Sequence, residues 1–172
     1  MSSGTASLDI EFRQPTAEDG AALHRLIAAC PPLDTNSTYC NLIQCSHFAG
    51  SSVVAQSGDG RLLGAITGHL IPERPNTLFV WQVAVHTDAR GHGLGVRMLE
   101  ALVKRLQPHG VEYMETTVTD DNHASWAMFG RLADNAGAEL HRSVFFDRDR
   151  HFEGAHDTEF LARIGPLTAT AP

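Results

Sequence analysis

The stretch of the chain best suited to chemistry is WQVAVHTDARGHGLGVRM, residues 81–98. An apolar run gives way to Arg90 and three glycines at alternate positions, Gly91, Gly93 and Gly95, then resumes at helical spacing. A glycine turn feeding a helix presents several backbone N–H groups in one direction, and the helix N-terminus adds partial positive charge; a diphosphate suits such a place. Side chains there would block its approach. Three kinds of phosphate-binding turn compete with a purely structural one. A P-loop requires a Gly-Lys-Ser/Thr ending, which is absent. A Rossmann fingerprint requires glycine where Val96 stands, although Glu112 and Glu115 lie at a fitting distance for a ribose contact.

Other reactive side chains are less pointedly arranged. Cys30, Cys40 and Cys45 form an odd set without a CxxC pair, against a disulfide framework or zinc-finger spacing, so reduced thiols in a cytoplasmic setting are expected. His151 and His156 lie near acids, but neither HExxH nor another metal-ligand spacing appears, and no metal is assigned. The formal net charge of −7, without a basic run, disfavours a nucleic-acid partner and suits small cationic substrates. No apolar run approaches the ~20 residues that span a bilayer, and the N-terminus has no leader pattern; no membrane partner is expected.

These residues must be positioned by a scaffold of 172 residues, within the usual size of one domain; 1–8 and 166–172 are expected to be flexible. Residues 9–14 alternate as a strand, and Thr16 with Asp19 resembles a capping box opening a helix through Ala29, stopped by Pro31 and Pro32. The polar loop DTNST, 34–38, leads into a short amphipathic helix at 39–48. Strands at 52–56 and 62–70 flank a turn at 57–60, and Pro72 and Pro75 close the second. A strand at 78–85, a helix at 94–106 and a strand at 113–118 form a β-α-β unit around the glycine turn. A helix at 122–136 ends near Gly137, and 139–146 reads as a last strand before a polar segment. The class is α/β.

The third kind of turn is the acyl-CoA loop Arg/Gln-x-x-Gly-x-Gly/Ala, which Arg90, Gly93 and Gly95 match after the strand-like Val83, Ala84 and Val85. With Asn122 followed seven residues later by Phe129, and with the order of elements, the chain resembles the GNAT N-acetyltransferase superfamily. Four blocks sharpen this: PPLDTNSTYCNLIQCSHF, FVWQVAVHTDARGHGLG, TVTDDNHASWAMF and HFEGAHDTEF together resemble the L-2,4-diaminobutyrate acetyltransferases of ectoine biosynthesis.

The resemblance implies a GNAT fold, a mixed central sheet flanked by helices, and a homodimer. It also implies direct transfer of acetyl from acetyl-CoA to the γ-amine of diaminobutyrate. Val83 and Val85 would pair with pantetheine by main chain, and one N–H there would stabilise the developing oxyanion. Gly91, His92, Gly93, Leu94, Gly95 and Val96 with Arg90 would hold the diphosphate, and Asn122 and Phe129 would border the cofactor. Arg97 is a weaker candidate. The attacking amine must first lose a proton; Asp34, Asp157 and Glu159 are the acids in the substrate-like segments. Many superfamily members place a tyrosine where Phe129 stands, so the thiolate's proton donor is open, with Tyr39 either that donor or a substrate partner. Asp34, Ser37, Thr38, Tyr39, Trp81, His156, Asp157 and Glu159 are the candidates for holding a diamino acid. Acetylation of another diamine or amino acid, a non-catalytic CoA sensor and a nicotinamide-dependent oxidoreductase are the rivals.

Overall fold

The computed structural model describes residues 9–168; the expectations for 1–8 and 169–172 lie outside them. Seven strands, β1 (Ile10–Arg13), β2 (Val53–Ser57), β3 (Leu62–Ile71), β4 (Arg74–Val85), β5 (Tyr113–Thr119), β6 (Glu139–Phe146) and β7 (Glu159–Gly165), form one sheet. Their order is β1-β2-β3-β4-β5-β7-β6. The sheet is mixed: β4 and β5 run parallel, joined through the crossover helix α3 (Leu94–Leu106), and the other neighbours are antiparallel. The remaining helices are α1 (Gly20–Ala28), α2 (Thr38–Ser46), α4 (His123–Ala136) and α5 (Arg148–Phe152).

Helices cover both faces of the sheet, as strand alternation requires. On one face Leu23, Leu26, Ile27 and Cys45 of α1 and α2 pack with Val54, Ala65 and Ala84. On the other, Met98, Leu99 and Leu102 of α3 and Phe129 and Leu132 of α4 pack with Val53, Ala55, Leu78 and Val80. The Thr16–Asp19 start is borne out: the Thr16 N–H donates to Asp19 Oδ2 at 2.7 Å, and Arg13 clasps the same carboxylate at 2.8 Å. Burial holds Cys45 as an unreactive thiol, its pKa pushed up to about 11.

Three expectations are corrected. The strand at 139–146 is not the last: β7 follows and inserts between β5 and β6. Pro75 does not end β3 but lies inside β4, between the β3 partner Arg74 and the first β5 partner Thr77, where its missing N–H costs no ladder bond. Within 166–168, Leu167 is buried in the core and its N–H donates to Glu112 O at 2.6 Å.

Candidate active site

The site begins where β4 and β5 part. Their ladder holds only Thr77↔Tyr113, Leu78↔Met114 and Phe79↔Glu115. Beyond it β5 stays with β7 as far as Thr119↔Glu159, while β4 continues along β3 to Val85↔Gly64. The β5-facing edge of β4 is thus left without a strand partner, and a cavity of about 610 Å3 fills the wedge. The Thr116 hydroxyl donates to Val80 O at 2.9 Å at the start of the divergence.

A bulge sets which side chains face this wedge. Thr67 pairs with Gln82 and Gly68 with Val80, so Trp81 is the extra residue. Before it the even residues Leu78 and Val80 join the α3–α4 core. After it the odd residues Val83 and Val85 take that face, and Ala84 turns to α1.

At the closed end, Glu115 is 2% exposed and accepts from Arg74 at 2.6 and 2.9 Å and from Arg163, whose guanidinium stacks on the Tyr113 ring. The Arg74 hydrogen bond, then that of Arg163, holds the Glu115 carboxyl below its ordinary pKa despite burial. A ribose contact from Glu115 is therefore excluded: the carboxylate is inside the sheet with its oxygens occupied. Glu112 accepts from Asn76 Nδ2 at 3.2 Å.

At the open end lies the glycine turn. Gly91 and Gly93 have φ of +78° and +67°, the left-handed region that side chains resist, and a Cβ on either would meet no atom within 4 Å. Gly95 serves closeness instead, since a Cβ there would stand 2.5 Å from Met128 Sδ. The first N–H to reach back along α3 is that of Arg97, to Gly93 O at 3.1 Å, so the amides of Leu94, Gly95 and Val96 have no acceptor within the helix. Arg90 lines the cavity and its Nε–H donates to Val85 O at 3.1 Å. His92 is exposed. Arg97 lies over the Phe12 ring, 5.3 Å from its centroid, and not on the turn.

Asp34, Trp81, His156 and Glu159, from three separate parts of the chain, line the same cavity with Val83, Val85, Asn122 and Phe129. Asp34 Oδ1 accepts the Asn36 N–H at 3.0 Å, and its carbonyl accepts Gln82 Nε2 at 2.7 Å. His156 Nε2 lies 3.8 Å from Glu159 Oε1, while its Nδ1 is 2.7 Å from Asp157 O. Asn122 caps α4, its side-chain oxygen accepting the Ser125 N–H at 3.1 Å. Phe129 is buried against the core and offers the cavity an apolar wall without a hydroxyl.

Other candidates are placed elsewhere. Ser37 is the N-cap of α2, its hydroxyl accepting the Cys40 N–H at 3.0 Å. Thr38 opens that helix, and Tyr39 is 73% exposed; none of the three lines the cavity, because the helix begins there and turns them outward. Asp157 belongs to an adjoining cavity of about 570 Å3 that shares Pro32, Thr119, Asn122 and His156 with the wedge. Sequence reasoning missed Gln82, whose amide ties the 34–36 loop to β4; a lone amide in an apolar strand was the available signal. It also missed Thr116. Among the described residues no group of three or more His, Cys, Asp or Glu is placed to hold a metal ion. No helix there is long and apolar enough to cross a membrane.

The acetyltransferase (GNAT) family model matches residues 20–133. The chain is 51% identical over 165 residues to an L-2,4-diaminobutyric acid acetyltransferase of Methylotuvimicrobium alcaliphilum, covering 96% of this chain and 95% of that one. A Bordetella parapertussis protein of the same name is 47% identical, covering 95% and 88%. Among solved structures, diaminobutyrate acetyltransferase EctA from Paenibacillus lautus, in complex with L-2,4-diaminobutyric acid and coenzyme A, superposes with a TM-score of 0.87. It is 32% identical, covering 96% of this chain and 100% of that one. The chain therefore belongs to the GNAT acetyltransferase family, and within it to the L-2,4-diaminobutyric acid acetyltransferases.

Proposed function

We propose that this protein transfers acetyl from acetyl-CoA to the γ-amino group of L-2,4-diaminobutyrate, giving Nγ-acetyl-diaminobutyrate, a step of ectoine biosynthesis and thus of the osmotic stress response. One observation carries the reading: the wedge between β4 and β5 has an unpaired strand edge along one wall, the glycine turn beside Arg90 at one end, and Asp34 with Glu159 lining it.

Acetyl-CoA, when bound, supplies an acyl group activated as a thioester. The free edge of β4 at Val83 and Val85 offers alternating N–H and C=O groups to an extended amide chain. An N–H of that edge is also the donor available to a carbonyl oxygen gaining charge, a contribution of about 3–4 kcal/mol where such donors have been removed. The amides after Gly91 and the Arg90 guanidinium supply the positive end for a diphosphate.

Asp34 and Glu159 hold the α-ammonium and orient the γ-amine. That amine has an ordinary pKa of about 10.4, so its proton must leave before attack. Glu159, with only 20% of its side chain exposed, accepts it directly or through water. The nitrogen–carbon bond then forms, the carbon–sulfur bond breaks, and the second proton, shed by the acylated nitrogen to water, is matched by the one the departing thiolate takes from solvent. Phe129 has none to give, and Tyr39 stands outside the cavity.

A homodimer and a cytoplasmic location belong to the same proposal. Supporting the first, β6 is the outer strand of the sheet and exposes Val144, Phe145 and Phe146, an apolar edge that a second copy would cover. Supporting the second, Cys30, Cys40 and Cys45 are free thiols.

Incubating a panel of diamines and diamino acids with acetyl-CoA, read by mass spectrometry, tests the activity. Diaminobutyrate should be acetylated in preference to its homologues; preference for another diamine overturns the substrate, and binding of CoA without turnover leaves a sensor. Sedimentation velocity tests the dimer, which Phe145→Asp should dissociate; a monomeric wild type contradicts it.

A further inference from the structure

Diaminobutyrate carries an α-carboxylate as well as two amines, and Asp34 and Glu159 repel it. A cation is needed at a distance from the carboxylates yet in the same space. Among the described residues, the arginines lining the wedge and its adjoining cavity are Arg90 and Arg148. Arg90 is at the glycine-turn end, with its Nε–H on Val85 O. Two other arginines nearby are already occupied. Arg142 lies over the rings of Trp126 and Phe160, at 4.7 and 4.1 Å, and pairs with Asp120; Arg163 is spent on Glu115.

We propose that Arg148 binds the α-carboxylate of the substrate and so selects diamino acids over plain diamines. This rests on the reading that diaminobutyrate is the substrate. The two cavities meet at Pro32, Thr119, Asn122 and His156, so the space that Glu159 lines adjoins the space that Arg148 lines. Arg148 is fixed relative to Glu159 by its backbone: its N–H donates at 3.1 Å to the hydroxyl of Thr158, the residue before Glu159. Its guanidinium is not spent. Nη1 stands 3.4 Å from Asp157 Oδ1, longer than the ~2.7–2.9 Å of a strong charge-assisted bond, and the side chain is 56% exposed. Asp157 therefore steers the guanidinium without saturating its five donors, leaving a fork that fits a second carboxylate. The substrate-segment acid Asp157 acts, in this arrangement, through Arg148.

The test compares L-2,4-diaminobutyrate with 1,3-diaminopropane, which lacks only the carboxylate, in the full-length wild type, Arg148→Gln and Arg148→Lys. The wild type should prefer diaminobutyrate. Arg148→Gln should lower its kcat/KM by roughly tenfold, mostly through KM, and shrink the preference over diaminopropane by the same factor. Arg148→Lys should recover part of it. An unchanged preference in Arg148→Gln, whether both rates fall together or neither falls, overturns the role of the arginine alone. A wild type that does not acetylate diaminobutyrate overturns the substrate reading and this proposal with it. The exposed side chain makes misfolding no obstacle, and matching thermal melts of the three proteins verify that.

Discussion

Replacing Gly93 by alanine should weaken coenzyme A binding by roughly tenfold or more while lowering the stability of the fold only modestly. Gly93 is the N-cap of α3 at φ 67° and ψ 21°. An alanine held there costs about 1–2 kcal/mol in backbone strain, and the absence of any atom within 4 Å of its Cβ means that no clash adds to it. For a chain of this size each kcal/mol lowers Tm by about 2–4 °C, so a loss of about 2–8 °C is expected. Binding suffers differently. The added methyl occupies the open space beside the amides of Leu94, Gly95 and Val96, where the diphosphate is proposed to dock. Displacing even one hydrogen bond to a charged group forfeits about 1.5–3 kcal/mol, at least tenfold in Kd. Isothermal titration of coenzyme A into the protein reads the affinity, and a thermal melt reads the fold. Gly93→Asn supplies the control: asparagine tolerates the left-handed region, so stability should return while affinity stays low. If Gly93→Ala loses stability but binds coenzyme A within twofold of the wild type, the turn is structural and the diphosphate sits elsewhere.

Four further outcomes follow from the same geometry. Asp34→Asn should raise KM for diaminobutyrate more than KM for acetyl-CoA in steady-state kinetics, and Glu159→Gln, which also removes the proton acceptor, should lower kcat as well and yield some α-acetyl product by NMR. Phe129→Leu should cost less than about 1.5 kcal/mol by denaturant melts and keep the shape of the pH–rate profile, because a phenyl ring carries no proton to transfer. Glu115→Gln leaves two half-exposed arginines without their partner and should cost about 2 kcal/mol, less than a fully buried pair. Because the folded Glu115 pKa lies below its unfolded value of about 4.3, that stability is present above this pH and lost as pH falls through the folded pKa. The wild-type and Glu115→Gln melting temperatures should therefore converge in acid. Gln82→Ala removes the tie to Asp34 O and should raise KM for diaminobutyrate several-fold with CoA affinity unchanged by titration.

The central β4-α3-β5 unit was legible because its apolar period switches from two to 3.6 at a turn of glycines, and backbone conformation there leaves few alternatives. The start of α4 at Asn122 and its stop at Gly137, in the left-handed region, were legible as caps. β7 was not found, although Phe160, Ala162 and Ile164 alternate with Leu161 and Arg163; the polar HFEGAHDTE run before it drew the end of structure too early. Its insertion beside β5 brings Glu159 to the wedge, which no local pattern announces. The bulge at Trp81 depends on the β3 register opposite, so the faces of Val83 and Val85 were not legible, and the family resemblance implied only main-chain roles for them. Around Tyr39 the resemblance pointed to the 34–39 segment, and there helix phase turns the phenol to solvent while Asp34 and Gln82 line the cavity.

The measurement that bears most directly on the central claim follows thiol release and product together: wild-type protein with acetyl-CoA and L-2,4-diaminobutyrate, monitored by a thiol reagent, with the product resolved by two-dimensional NMR. One free coenzyme A thiol should appear for each Nγ-acetyl-diaminobutyrate, with no α-acetyl isomer. Thiol release without acetylated amino acid, or acetylation at the α-nitrogen, would contradict the account of how the wedge orients its substrate.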